Sequence, residues 1–149
     1  MRGKHLEWTK NHTQHLPKTQ DGRLYEHEVG FDDDESVMTN VFVESSDIDI
    51  ASGNNFTFVR KLLPDIEFKK DPAQTPNSKM NIVLQTRNQP NATKSTANTV
   101  SVSETTGVSH VRARARSISL KFESDATEKG FAWQLGSTRL DITPSGGRA

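Results

Sequence analysis

From Val111 to Phe122 the chain reads Val-Arg-Ala-Arg-Ala-Arg-Ser-Ile-Ser-Leu-Lys-Phe, its side-chain character alternating at nearly every step. Successive side chains of an extended strand point to opposite faces, so a period of two predicts a β-strand. One face would carry Arg112, Arg114, Arg116, Ile118, Leu120 and Phe122. The other would carry Val111, Ala113, Ala115, Ser117, Ser119 and Lys121. The first face is charged along one half and apolar along the other. A strand whose surroundings change along its length suggests a part of an assembly more than a self-contained enzyme.

Other segments share the short period. Leu24–Gly30 reads as a brief strand, and Val37–Ile50 is rich in β-branched residues and alternates at both ends. After the Ser52-Gly53-Asn54-Asn55 turn comes Phe56–Leu63. Pro64 then interrupts, because it cannot donate to a ladder, and Asp65–Phe68 continues extended. Residues 69–79, with Pro72 and Pro76, read as a loop. Met80–Arg87 alternates with Met80, Ile82 and Leu84 on one face, and Asn88–Asn98 is a further connection. Thr99–Ser103, the run 111–123, Phe131–Leu135 and Arg139–Ile142 complete the set, with Gly136 marking a bend.

No segment carries a 3.6-residue apolar stripe over three turns. The spacing predicts an all-β fold of antiparallel sheets with about seven or eight strands, arranged as a sandwich or as propeller-like blades. The expected core is Phe56, Phe58, Ile82, Leu84, Ile118, Leu120, Phe122, Phe131, Trp133 and Leu135. Residues 1–23 are polar and lack a clear period, so they read as an arm or long loop before a β-rich domain over 24–149.

Composition narrows the function classes. Apolar residues make up 32% of the 149, below the roughly 45–50% of ordinary globular domains. A thin, polar-coated β structure completed by partner chains fits this. Nineteen Lys and Arg balance nineteen Asp and Glu, so no global field attracts nucleic acid or an anionic membrane. Cysteine is absent, which removes disulfides and thiolate metal ligands. No run reaches the roughly 18–20 apolar residues of a membrane span, so none is expected.

Candidate chemistry is sparse. His12 and His15 are three apart, with His5 nearby, but no helical pattern brings them to one face. Asp32, Asp33, Asp34 and Glu35 could gather oxygens around a hard cation, yet they lack the calcium-loop spacing and read as a solvated turn. His27 lies between Glu26 and Glu28, which a strand would point the other way. There is no nucleophile elbow or phosphate loop, so neither an enzyme nor a cofactor is expected.

The arginine row remains. Arg112 to Arg116 spans roughly 13 Å of one strand face and could track a phosphate backbone. Asp47 and Asp49 form a same-face pair on another strand, and Asp141 sits on a third. An Arg–Asp ladder across strands, within or between subunits, would satisfy both sets, and this is the expected arrangement.

The ordered segments Leu24-Tyr-Glu-His-Glu-Val-Gly-Phe-Asp-Asp, Val43-Glu-Ser-Ser-Asp-Ile-Asp-Ile and Phe58-Val-Arg-Lys-Leu-Leu-Pro-Asp-Ile-Glu-Phe are followed by two more. These are Arg112-Ala-Arg-Ala-Arg-Ser-Ile-Ser-Leu-Lys-Phe-Glu-Ser and Trp133-Gln-Leu-Gly-Ser-Thr-Arg-Leu-Asp-Ile with its Gly-Arg ending. Together, over roughly residues 24–149, they resemble the C-terminal part of tail nozzle, or tail tubular protein B-like, structural proteins of short-tailed phages. The resemblance implies a virion protein assembled in the host cytoplasm and placed in the tail. It also implies a propeller-like subunit in a homo-oligomeric, commonly hexameric, ring beside the tail adaptor and other tail proteins. Its lumen would retain viral DNA and then pass it transiently and without sequence preference. A conduit should not grip its cargo, since each neutralised phosphate adds affinity, and arginines paired to aspartates would meet that need. The alternative is a β-sandwich attachment module recognising host-surface glycans, for which Trp8, Tyr25 or Trp133 would have to line a shallow groove.

Overall fold

The protein is described by a computed structural model over residues 3–5, 25–27, 30–32, 36–49, 55–72, 77–125, 127 and 129–145. Among these residues there is no helix, and every strand pairing is antiparallel.

Twelve strand segments follow one another: β1 Gly3–His5, β2 Tyr25–His27, β3 Phe42–Glu44, β4 Ile48–Asp49, β5 Thr57–Leu63 and β6 Ile66–Lys70. The rest are β7 Lys79–Arg87, β8 Ser95–Ser103, β9 Ser109–Ala115, β10 Ser117–Ser124, β11 Phe131–Leu135 and β12 Arg139–Pro144. One sheet has the order β3-β10-β7-β8, with β4 also paired to β10; a second has the order β12-β5-β9. The β6–β11 ladder continues the β5–β12 ladder past a corner. There Pro64 withholds a donor, and the Gly136 N–H donates to Asp65 O at 2.7 Å.

The two sheets share one core, which makes the fold a sandwich. Ile82 stands opposite Phe122, and Leu84 opposite Leu120, on the β7–β10 ladder. Against them the second sheet turns Val59, Leu62, Val111, Ala113 and Ala115, all buried. Ile66, Phe68, Trp133 and Leu135 pack on this cluster from the β6–β11 ladder, and Phe131 is buried beside Phe68 with ring centres 6.2 Å apart. Each fully buried aliphatic side chain contributes about 1.5–3 kcal/mol.

Taking β3/β4, β5/β6, β7, β8, β9, β10 and β11/β12 as seven successive strands, the second pairs with the fifth and the third with the sixth. That is the central pairing of immunoglobulin-type sandwiches. The outer strands are exchanged here: the first pairs with the sixth, and the seventh with the second.

Several expectations change. The run 111–123 is two strands in different sheets, with Arg116 at the crossing. Val111, Ala113 and Ala115 point inward on odd numbers, then Ile118, Leu120 and Phe122 on even ones. A single straight strand cannot bury both sets, so the chain slips phase as it changes sheet. Phe56 and Phe58 are not core residues; the residues of β5 that turn inward are Thr57, Val59 and Leu62, and both rings are only half-buried. The run 37–50 is not one strand, because Ser45 to Asp47 separate β3 from β4. There Ser45 N–H donates to Leu120 O at 2.9 Å and the Leu120 N–H donates to Ser45 Oγ at 3.0 Å. The connection expected over 88–98 ends early, since β8 begins at Ser95. Within the polar opening segment, Gly3–His5 pairs with Tyr25–His27.

Candidate functional site

The outward face of the β12-β5-β9 sheet gathers a group of cations from two neighbouring strands. Alternation along β9 buries Ser109, Val111, Ala113 and Ala115 and leaves His110, Arg112 and Arg114 exposed. On β5 the ladder register slips at Arg60, so Val59 and Leu62 both turn inward while Arg60 and Lys61 are both exposed. A bulge re-aims side chains in this way. It adds two cations to the side where β9 presents its own.

Aromatic rings lie beneath this charge. The Arg114 guanidinium is 4.2 Å from the centre of the Phe56 ring, and that of Arg116 is 5.0 Å from the same ring. Arg60 lies 5.9 Å from the centre of Phe58. Such contacts contribute roughly 0.5–1 kcal/mol each at an exposed site. Arg114 also donates from Nε to Ser145 Oγ at 3.0 Å and from Nη2 to Ser145 O at 3.3 Å. Arg112 has its backbone N–H bonded to Asn98 Oδ1 at 3.1 Å, while its side chain stays on the surface. Phe58, Arg60, Lys61, Asn98, His110 and Arg112 together line a shallow depression.

The Arg–Asp ladder does not form within the chain. Asp47 is held by Arg87 at 2.5 Å and by Lys94 Nζ at 3.2 Å, on the opposite sheet. Asp49 accepts a hydrogen bond from Ser117 Oγ. Asp141 stands opposite Lys61 in the β12–β5 register, across from the arginine strand. Among the described residues, no carboxylate lies within ion-pair distance of Arg60, Arg112, Arg114 or Arg116. Elsewhere several cations are paired: Lys94 reaches Glu44 at 3.0 Å, Lys121 reaches Glu123 at 2.6 Å and Lys70 reaches Glu104 at 2.9 Å. The Glu44 carboxylate, with help from Asp47, holds the Lys94 ammonium above its ordinary pKa against a smaller opposing effect of burial.

Other candidates contribute little to this face. Among the described residues no three His, Cys, Asp or Glu side chains gather around a metal-sized space. No helix among them is long and apolar enough to cross a membrane, which leaves strand-built spans unaddressed. His12, His15, Asp33, Asp34, Glu35, Trp8 and the side chains of His5, Tyr25 and His27 lie outside the described residues. Asp32 Oδ1 accepts the Gly130 N–H at 2.5 Å. Trp133 is half-buried, with Nε1 donating to Ser124 Oγ at 2.7 Å, and so does not stand free as a stacking platform for a sugar.

Sequence reasoning missed Phe56, Phe58, Arg60, Lys61 and His110 as parts of one face. A signal was present, because positions 56, 58 and 60 share a parity. It was outweighed by the size of the two rings, which mark them as core when hydrophobicity alone is counted. The chain matches no protein-family model, and a search of curated proteins returns no match.

Proposed function

We propose that the chain is a structural component of a phage tail, of the nozzle type, acting through assembly and without catalysis. The resemblance over residues 24–149 suggests this identity. The structural observation that supports it is that, among the described residues, Arg60, Arg112, Arg114 and Arg116 have no carboxylate within ion-pair distance, in a chain with as many acids as bases. A self-contained domain with balanced charge can pair its cations on its own surface, as this one does for Arg87, Lys94 and Lys121 on the β3-β10-β7-β8 sheet. Four guanidiniums without a carboxylate among the described residues suit a protein whose working surface is completed by something else. Phe42, Val43 and Ile48, about half exposed on the short edge strands β3 and β4, favour the same reading. An edge of this kind is left open in a part that receives a neighbour.

On this reading the chain works in a homo-oligomeric ring in the virion tail, beside the adaptor and other tail proteins, around a passage for DNA. Sedimentation over a hundredfold range of concentration tests it. A ring that dissociates on dilution, with a melting temperature that rises with concentration, is expected. A monomer at every concentration, with an unchanging melting temperature, overturns it.

A further inference from the structure

The arginine face has a geometry that suits one class of ligand. Outward side chains on β9 recur about every 6.6 Å, so His110, Arg112 and Arg114 form a straight row of about 13 Å, and half-buried Arg116 follows where the chain leaves for the other sheet. One strand away, at about 4.8 Å, β5 adds Arg60 and Lys61. The phosphates of one DNA strand advance about 3.4 Å each along the duplex axis, so a 13 Å row covers roughly four of them. Phe56 and Ser145 hold Arg114 in place, and Phe56 and Phe58 lie beneath Arg116 and Arg60, which lowers the cost of ordering those side chains on binding.

The chemistry of the depression is almost all donor, and Asp141, a carboxylate of this outward face, stands opposite Lys61 and not among the arginines. Among the side chains lining the depression, Asn98 supplies the one carboxamide, and its oxygen is already taken by the Arg112 N–H. Nothing there is arranged to read base edges, which require paired donors and acceptors in fixed places. We infer that the Arg60, Arg112, Arg114 and Arg116 face binds the phosphate backbone of nucleic acid, without sequence preference. A protein partner would have to bring several carboxylates at strand spacing, whereas a nucleic acid presents an anion at every step. The inference rests on this face, and on the conduit reading only for where the DNA comes from. It departs from that reading in one respect: the passage is lined by groups that hold the backbone while it waits.

The test is fluorescence anisotropy of the full chain with labelled random-sequence duplex and single-stranded oligonucleotides, between 50 and 200 mM salt. Four phosphate contacts predict a loss of duplex affinity of about 150-fold over that range. Arg112→Ala removes an exposed side chain with no partner among the described residues, so it should fold normally by circular dichroism. Its expected loss is only about 40-fold, and that of the triple variant R60A/R112A/R114A about 3- to 4-fold. Lys121→Ala, on the other sheet, should match the parent. Scrambling the oligonucleotide should change nothing.

No binding at 50 mM salt, or a salt response unaltered in Arg112→Ala, overturns the inference. Salt-sensitive self-association that disappears in Arg112→Ala, with no DNA binding, assigns the face to a second copy and overturns it too. The two proposals fail separately. DNA binding by a permanent monomer removes the ring and keeps the face; a ring that survives Arg112→Ala and ignores DNA does the reverse.

Discussion

Arg114 and Phe56 form the tightest cation–ring contact on the outward face of β5 and β9, with the guanidinium carbon 4.2 Å from the ring centre. Arg116 shares the same ring from the next outward position, where the chain leaves one sheet for the other. Phe56 therefore serves as a floor for two cations, which explains how a large aromatic ring can lie outside the core.

This coupling is measurable. Phe56→Leu and Arg114→Ala should each lower stability modestly, and their double-mutant cycle in urea should yield about 0.5–1 kcal/mol of interaction. Full additivity of the two substitutions would mean that the ring does not hold the guanidinium.

The inner and outer faces of the sandwich should respond differently to truncation. Ile82→Ala and Leu120→Ala empty space between the sheets, where both residues are buried, and each should cost about 2–5 kcal/mol. Phe58→Ala, on the outward face, should cost much less despite removing more atoms. A Phe58→Ala loss equal to that of Ile82→Ala would place the ring in the core after all.

Lys94 supplies a pH signature. Its pKa is raised in the folded protein, chiefly by the hydrogen bond to Glu44, so the folded chain holds this proton more tightly than the unfolded one. The stabilisation is complete below the ordinary lysine pKa of about 10.4 and fades as pH rises through the higher folded value. Urea midpoints taken from pH 8 to pH 11.5 should fall more steeply for the parent than for Lys94→Met. Parallel curves would show that the Glu44 and Asp47 contacts do not persist in solution.

Gly136 faces a close approach. A Cβ at this position would run into the Asp65 carboxylate, whose Oδ2 accepts the Ser137 N–H at 2.8 Å. Gly136→Ala should therefore displace that carboxylate and cost about 1 kcal/mol. In an Asp65→Ala background the same substitution should cost almost nothing further. An equal cost in both backgrounds would trace the effect to the backbone and not to the carboxylate.

The short-period patterns at 56–63, 80–87, 111–122 and 131–135 were enough to specify an all-β chain, because which side of a strand a residue occupies depends only on its immediate neighbours. They also carried a hint of the sheet change at Arg116, since the apolar set moves from Val111, Ala113 and Ala115 to Ile118, Leu120 and Phe122. Whether such a shift means a bulge, a break or a crossing depends on which strand lies alongside, and the pairing partners of β9 and β10 are tens of residues distant. The same holds for charge. Asp47 and Arg112 looked complementary along the chain, but the fold set Asp47 beside Arg87 and Lys94, left Arg112 on the surface and gave Arg114 and Arg116 a ring in place of carboxylates. Alternation is a local property and could be read from the amino-acid order. Sheet membership, bulge position and ion pairing arise from contacts between distant segments, and only the tertiary structure decided them.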